Sequence, residues 1–164
     1  MDAIETLQAN LADPSHADAL LQLLDAYAAD PMGGEFLLDE ATRSAIVPGL
    51  AAHPTSLVYL ARMDGQFIGA AVCFVGFSTF QARPLINVHD LTVRAEFRRR
   101  GVASQLLAAV ADRARASGCC KITLEVREDN LSARRLYARK GFTGSQSGQQ
   151  AVEISRLDSR TDKN

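Results

Sequence analysis

Three things are scarce in this chain, and each shortage excludes a class of protein. It has 3 cysteines in 164 residues, and two of them are the adjacent pair Cys119 and Cys120, without the spacing of a metal site. Cysteines that are neighbours in sequence very rarely form a disulfide. We therefore interpret the cysteines as buried thiols and expect no metal site.

Long apolar runs are also missing. No run approaches the roughly 20 residues that a membrane-spanning helix needs. The first residues, 1–5, do not form a basic segment followed by an apolar stretch, which is the pattern of a secretion signal. These observations predict a cytoplasmic protein with no membrane partner.

Net charge is the third scarcity. The chain has 18 basic and 19 acidic residues, a formal net charge of -1. No global field therefore attracts nucleic acid or an anionic membrane, although arginines crowd residues 94–100 and 134–139. We expect anion binding to be local and no nucleic-acid partner. Nucleic-acid binding through the two arginine clusters is the alternative, with steep salt dependence as its signature.

The remaining composition, with 47% hydrophobic residues, is typical of one domain with a real core. We predict a single domain over residues 1–157 and a polar tail over 158–164. The pattern of apolar residues, helix caps and breakers predicts an α/β fold. The first half of the chain has mostly strands with two early helices, and the second half alternates strand, helix, strand, helix and strand. The predicted strands are 4–12, 56–63, 66–77, 85–93, 121–127 and 151–157. The predicted helices are 14–29, one that begins at Asp39 and becomes irregular at Pro48-Gly49, 102–116, and one capped by Asn130 that ends at 140–141.

A strand that ends in three arginines and a glycine turn gives the clearest functional signal. Residues 91–103 read Leu-Thr-Val-Arg-Ala-Glu-Phe-Arg-Arg-Arg-Gly-Val-Ala. A glycine turn that opens directly into a helix directs free backbone N–H groups at one point, where the helix dipole also favours negative charge. The pattern predicts a diphosphate site at residues 98–104, here called the anion loop. A solvated basic turn that caps a helix is the alternative.

Two further residues are candidates for chemistry. Glu125 lies on a predicted strand whose one face shows Thr123, Glu125 and Arg127, so either this face lines a wet cleft or Glu125 and Arg127 form an ion pair. Tyr137 falls on the apolar stripe of the last predicted helix, where a tyrosine is often a core residue with a hydrogen-bonded hydroxyl.

In their order these pieces resemble the GNAT superfamily of N-acyltransferases, whose pattern is Arg/Gln-x-x-Gly-x-Gly/Ala after the fourth strand. The resemblance rests on 98–103, Arg-Arg-Arg-Gly-Val-Ala, then 122–127, Ile-Thr-Leu-Glu-Val-Arg, then Asn130, then 136–142, Leu-Tyr-Ala-Arg-Lys-Gly-Phe. It implies a GNAT-type mixed central sheet, antiparallel in its N-terminal part and parallel at its centre with splayed strands, flanked by helices on both faces. It also implies an acetyl-CoA-dependent N-acetyltransferase that acts by direct transfer in a ternary complex.

The resemblance further implies the binding residues for acetyl-CoA as a cosubstrate. The main chain of the fourth strand pairs with the pantetheine arm, the amides of the anion loop hold the pyrophosphate, and a backbone N–H near Leu91 stabilises the oxyanion. Asn130 contacts the cofactor, and Tyr137 lies near its sulfur. The implied cofactor-binding residues are Leu91, Thr92, Val93, Arg98, Arg99, Arg100, Gly101, Val102, Ala103, Ser104, Asn130 and Tyr137.

Acyl transfer needs a neutral amine, whereas an alkyl amine with a pKa of ~10.4 is mostly protonated at neutral pH. A base in the cleft is therefore expected, and Glu125 is our first choice, directly or through a water. Tyr137 is the expected proton donor to the departing thiolate. His89 is a rival base, because it replaces a glutamate that diamine acetyltransferases have before Asp-Leu.

The amine that accepts the acetyl group is the part of the function that the sequence indicates least. Family folds place it over residues 30–34, the second helix and the loop 78–84, where Glu35, Asp39 and Glu40 could hold a cationic amine or simply form a solvated surface. Met32, Phe36, Phe77 and Phe80 could add apolar lining, although such residues are more often core. We expect a small-molecule or peptide amine as substrate and, from the resemblance, a homodimer. A catalytically idle acyl-CoA sensor or interaction domain on the same fold is the alternative.

Overall fold

The computed structural model describes residues 3–144 and 148–158. Within these residues the strands are β1 (Glu5–Gln8), β2 (Ser56–Met63), β3 (Gln66–Ser78), β4 (Arg83–Val93), β5 (Lys121–Glu125), β6 (Thr143–Gly144) and β7 (Gln149–Glu153). The helices are α1 (Pro14–Ala29), α2 (Glu40–Ala52), α3 (Val102–Ala116), α4 (Leu131–Arg139) and α5 (Ile154–Asp158), and Ala95–Phe97 forms a 3-10 turn.

The described strands form one mixed sheet in the order β1-β2-β3-β4-β5-β7-β6. β1 pairs antiparallel with β2, β7 pairs antiparallel with β5 and β6, and β4 pairs parallel with β5. Helices flank the sheet. The predicted fold class is therefore confirmed.

Contacts between Cα atoms divide the chain into two compact units. The first comprises Met1–Val72 and Asp90–Ala109. Its α1 begins where the sequence predicts, because Pro14 occupies the first turn and the Asp13 carboxylate accepts a hydrogen bond from the Ser15 amide at 2.8 Å. The fully buried side chains of this unit include Leu20, Leu23, Leu60, Ile68, Val102 and Leu106.

The second unit comprises Cys73–His89 and Val110–Asn164. Its parallel pair joins Ile86 to Ile122 and Val88 to Leu124. The core residues of this unit include Cys73, Ile86, Val110, Ile122, Leu124 and Val152. Cys119 and Cys120 are also buried, and none of the three cysteines forms a disulfide bond among the described residues, which confirms their interpretation as buried thiols.

Helix α2 continues through Pro48, so the predicted irregularity at Pro48-Gly49 is wrong. The helix is fixed at both ends. At its start the Asp39 carboxylate accepts from the Thr42 amide at 2.7 Å, and at its end the Ser56 hydroxyl donates to the Leu50 carbonyl at 2.6 Å. These contacts stabilise both ends of a helix that carries the local cost of a proline.

Three predicted strands are too long, and one of them, predicted over 121–127, ends at Glu125. Asn10 ends the first strand early, because its side chain accepts from the Ala12 amide at 3.1 Å and its carbonyl from the Asp13 amide at 3.0 Å. The last strand, predicted over 151–157, begins at Gln149 and ends at Glu153, where its pairing with β5 also ends. The chain then turns into α5. Of the predicted tail 158–164, all but Asp158 lies outside the described residues.

Candidate active site

The anion loop opens directly into α3 with a left-handed backbone. Gly101 has φ 86° and Arg99 has φ 62°, a region that favours glycine. Among the described residues, no group accepts a hydrogen bond from the amides of residues 99–104. The first amide that donates is that of Gln105, to the Gly101 carbonyl at 3.0 Å. The start of a 15-residue helix therefore offers a row of available N–H donors, together with its dipole.

The arginines around this loop have different roles in the structure. Arg94 Nε donates to the Phe67 carbonyl at 3.0 Å, and the Arg100 guanidinium lies over the Phe97 ring, 5.4 Å from its centroid. Arg98 Nη2 donates to an Asp30 carboxylate oxygen at 2.6 Å. The charge of Arg98 is thus engaged within the protein, in a contact that no local sequence pattern predicts.

The end of β4 lies beyond the pairing with β5. That pairing covers Ile86–Val88, whereas β4 continues to Val93. Thr92 is buried, and the Val93 carbonyl accepts from Arg98 Nε at 3.1 Å. The end of β4 is thus held by Arg98 and lies outside the register of the β4–β5 pair, which covers residues 86–88.

Glu125 ends β5 with an exposed side chain. One of its carboxylate oxygens accepts from Gln149 Nε2 at 3.3 Å, while Arg127 makes a bidentate pair with Asp129 at 2.8 and 2.9 Å. Glu125 lines a cavity of about 460 Å³ in the second unit. This arrangement favours the interpretation of its face as a wet cleft.

The lining of this cavity is mainly polar. Asn87 Nδ2 donates to the Thr123 hydroxyl at 3.0 Å, which fixes two of the polar groups in place. Gln150 Oε1 is buried with no hydrogen-bond partner among the described residues. The cavity is lined by Asn87, Lys121, Thr123, Leu124, Glu125, Thr143, Gly144, Gln149, Gln150 and Ala151. Such a surface suits a ligand rich in hydrogen-bonding groups.

Helix α4 carries Asn130 and Tyr137 as predicted. Asn130 caps the helix, and its side-chain oxygen accepts from the Ala133 amide at 3.2 Å. Tyr137 is 6% exposed, and its ring lies 5.6 Å from the Phe142 ring, centroid to centroid. Tyr137 is thus a largely buried residue whose ring position is fixed by packing.

The remaining candidates are also placed. His89 is exposed, with its ring edge-on to Phe74 at 5.7 Å between centroids. Asp39 is committed to capping α2, and Glu40 accepts from the Ser44 hydroxyl at 3.2 Å. Four further candidates are exposed: Glu35 and Phe36 in the first unit, and Phe77 and Phe80 in the second.

The electrostatic environment of Asp30 is perturbed. The hydrogen bond from the Arg98 guanidinium holds the pKa of this carboxyl below its usual value, and the bond from the Met32 amide acts in the same direction. In residues 3–144 and 148–158, no three His, Cys, Asp or Glu side chains form a group that could hold a metal ion. No helix in that part of the chain is long and apolar enough to cross a bilayer.

Solved structures with this fold include acetyltransferases. A probable acetyltransferase has a TM-score of 0.75 and 25% sequence identity, and the match covers 87% of this chain and 91% of that one. The aminoglycoside N-acetyltransferase AAC(6')-Iy, in complex with CoA, has a TM-score of 0.70 and 20% identity over 89% of this chain and 91% of its own. The second likeness is one of fold alone. This chain therefore shares its fold with these structures.

Sequence comparison identifies the family. The uncharacterized N-acetyltransferase YhfO of Bacillus subtilis is 28% identical over 137 residues, which are 80% of this chain and 86% of that protein. The model of the Acetyltransferase (GNAT) family matches residues 18–142. The chain belongs to this family and is an acetyltransferase, which confirms the resemblance inferred from the anion loop, β5 and α4.

Proposed function

We propose that this protein transfers an acetyl group from acetyl-CoA to a primary amine by direct attack, with both substrates bound at once. The observation that carries the proposal is the row of amides at residues 99–104, which have no acceptor among the described residues at the start of α3. Family membership adds support, and so does the related fold that was solved in complex with CoA.

The anion loop suits the diphosphate of CoA. A Cβ added at Gly101 would meet no protein atom within 4 Å, so the space beside the amides is open to a ligand oxygen. Arg99 is exposed and adds positive charge at the rim of the loop. We assign the main chain of Leu91–Val93 to the pantetheine arm, and Asn130 to a contact with the cofactor. When bound, the thioester supplies an activated acyl group.

Glu125 is the proposed general base. The pKa of a free alkyl amine lies ~3.4 units above pH 7, so forming the neutral amine costs about 4.6 kcal/mol. A positioned carboxylate helps to overcome this cost. The Gln149 amide orients the carboxylate from one side and leaves its second oxygen for the amine or for a bridging water. His89 is the alternative base, because its imidazole side chain is exposed and imidazole is a common general base in enzymes.

Tyr137 is the proposed proton donor to the departing sulfur. Its ring packs against that of Phe142, and we assign its hydroxyl to the sulfur of the cofactor, where the resemblance implies a tyrosine. A thiol with a pKa of ~8.5 is only a modest base, and a positioned hydrogen bond or late proton transfer is sufficient. A backbone N–H near Leu91 is the proposed oxyanion donor.

The cavity at Glu125 is our candidate for the acceptor's reactive end. Its polar lining suits a small amine or a peptide amine with several hydrogen-bonding groups. The homodimer and the cytoplasmic location stay predictions.

The test is a panel of amines, including amino sugars and peptides, incubated with acetyl-CoA while the released thiol is measured. At least one amine should give enzyme-dependent thiol release. Tyr137→Phe keeps the buried ring and should lower kcat by roughly 100-fold or more, with the affinity for CoA unchanged. A variant as active as the wild type would remove Tyr137 from the mechanism. CoA binding without turnover on any amine would favour the idle sensor.

A further inference from the structure

Arg98 belongs to the anion loop, yet its guanidinium is bonded to the protein. Nε donates to the Val93 carbonyl at the end of β4, at 3.1 Å, and Nη2 donates to an Asp30 carboxylate oxygen at 2.6 Å. The Asp30 side chain is only 15% exposed, while that of Arg98 is 47% exposed. One side chain therefore joins the end of β4 and the end of α1.

Asp30 organises the turn that leaves α1. Its other carboxylate oxygen accepts from the Met32 amide at 3.0 Å, and its carbonyl accepts from the amides of Gly33 and Gly34 at 2.8 and 3.2 Å. A Cβ at Gly33 would lie 1.7 Å from the Tyr27 carbonyl oxygen, so the turn is wound tightly against the end of the helix. The carboxylate of Asp30 thus fixes the start of the α1–α2 segment, residues 30–39.

The two residues of this contact lie in parts of the chain that have different expected functions. The anion loop is the proposed diphosphate site, and the α1–α2 segment is a part of the chain where the amine is expected. Short charge-assisted hydrogen bonds hold fixed geometry better than neutral ones. A ligand that orders one end therefore restricts the other through the same guanidinium.

We propose that Asp30 and Arg98 are positioning residues that couple the α1–α2 segment to the anion loop, and that Arg98 does not bind phosphate. This inference rests on the proposed function. Phosphate binding is left to the amides of residues 99–104 and to the side chain of Arg99. The pair transmits order between the two substrates.

The experiment is a double-mutant cycle of Asp30→Asn and Arg98→Gln. Asparagine keeps an oxygen for the Met32 amide, so the turn is retained and only the charge that faces Arg98 is removed. For each protein the Kd of CoA is measured by calorimetry at several salt concentrations. The KM and kcat are then measured with an amine from the panel.

Each single variant should raise the Kd of CoA and the KM of the amine by roughly three- to tenfold, with kcat within about twofold of the wild type. The double variant should be no worse than either single variant, because both remove the same contact. The salt dependence of CoA binding should change less in Arg98→Gln than in Arg99→Gln, since the Arg98 charge is already paired with Asp30 and makes no phosphate contact. Arg99→Gln should reduce that salt dependence, because Arg99 is the proposed charge at the loop rim.

Two results would overturn the inference. One is a strong loss of CoA affinity with a reduced salt dependence in Arg98→Gln alone, which would make Arg98 a phosphate ligand. The other is additive effects in the double variant. If Asp30→Asn melts below the assay temperature, Arg98→Lys replaces it in the experiment. Lysine keeps the positive charge but lacks the forked guanidinium that reaches both the Val93 carbonyl and the Asp30 carboxylate. Wild-type values of Kd and KM in Arg98→Lys would contradict the coupling.

A matched control is the exposed pair between β1 and β2, in which Arg62 Nη2 donates to a Glu5 carboxylate oxygen at 2.7 Å. Arg62→Gln removes a similar ion pair and should leave the Kd of CoA, its salt dependence and the KM unchanged. A wild-type protein that binds no CoA would refute the proposed function itself. If the wild type binds CoA but the effects of the two substitutions add in the double variant, the coupling alone would be refuted.

Discussion

Replacing Gly101 by alanine separates the binding role of the anion loop from the conformation of its backbone. Gly101 has φ 86°, and an alanine in the left-handed region costs about 1–2 kcal/mol. For a chain of this length that lowers Tm by roughly 2–8 °C. The added methyl group meets no protein atom within 4 Å, so no steric cost is added to folding.

The expected effect on binding is larger. The methyl group occupies the open space beside the amides of residues 99–104, where we place the diphosphate. Each hydrogen bond to a charged group that is lost removes about 1.5–3 kcal/mol. The Kd of CoA should therefore rise by roughly 10- to 150-fold for one lost bond.

Gly118 provides the control at the other end of α3. It has φ 68°, and an added Cβ also meets no atom within 4 Å. Gly118→Ala should lower Tm by a similar amount and leave the Kd of CoA unchanged. Both variants are measured by thermal unfolding and by calorimetry with CoA. Equal Kd values for the two variants and the wild type would refute a diphosphate site at Gly101.

Three further predictions concern other parts of the chain. Glu125→Gln keeps an oxygen for the Gln149 amide but cannot take a proton, so kcat should fall by roughly 100-fold or more at neutral pH with a stable fold; unchanged kcat would favour another base. Arg98 holds the pKa of the Asp30 carboxyl below its ordinary value in the folded protein. The stability that the ionised carboxylate adds is therefore fully present above the unfolded-state pKa of about 3.9, and it is lost as the pH falls through the lower folded-state pKa. Urea unfolding of wild type and Asp30→Asn should therefore differ at pH 6 and converge at strongly acid pH, and a constant difference would contradict this. Pro48→Ala restores an amide donor inside α2 and should stabilise the protein by about 2 kcal/mol, raising Tm by roughly 4–8 °C in calorimetry; a lower Tm would show that the proline is not a local cost.

The parts of the fold that the sequence predicts well are those set by neighbouring residues. The glycine at 101 and the helix that follows depend on contacts within one or two turns, and so does the cap at Asn130. The pair Asp64-Gly65 likewise predicts the turn between β2 and β3. Such signals are readable in one chain because both partners are adjacent in it.

Other features depend on residues far apart in sequence. The persistence of α2 through Pro48 depends on Ser56 beyond its end, and the end of β7 depends on where β5 stops. The contact between Asp30 and Arg98 joins residues 68 positions apart. No local pattern links two such residues, and only the folded chain reveals the contact.

The most direct test of the central claim is an amide NMR titration of the protein with CoA. The account predicts that the amide signals of residues 99–104 shift most and saturate together, while that of Gly118 at the far end of α3 stays in place. Saturable binding of CoA that leaves the amides of residues 99–104 unshifted, or no binding at all, would contradict it.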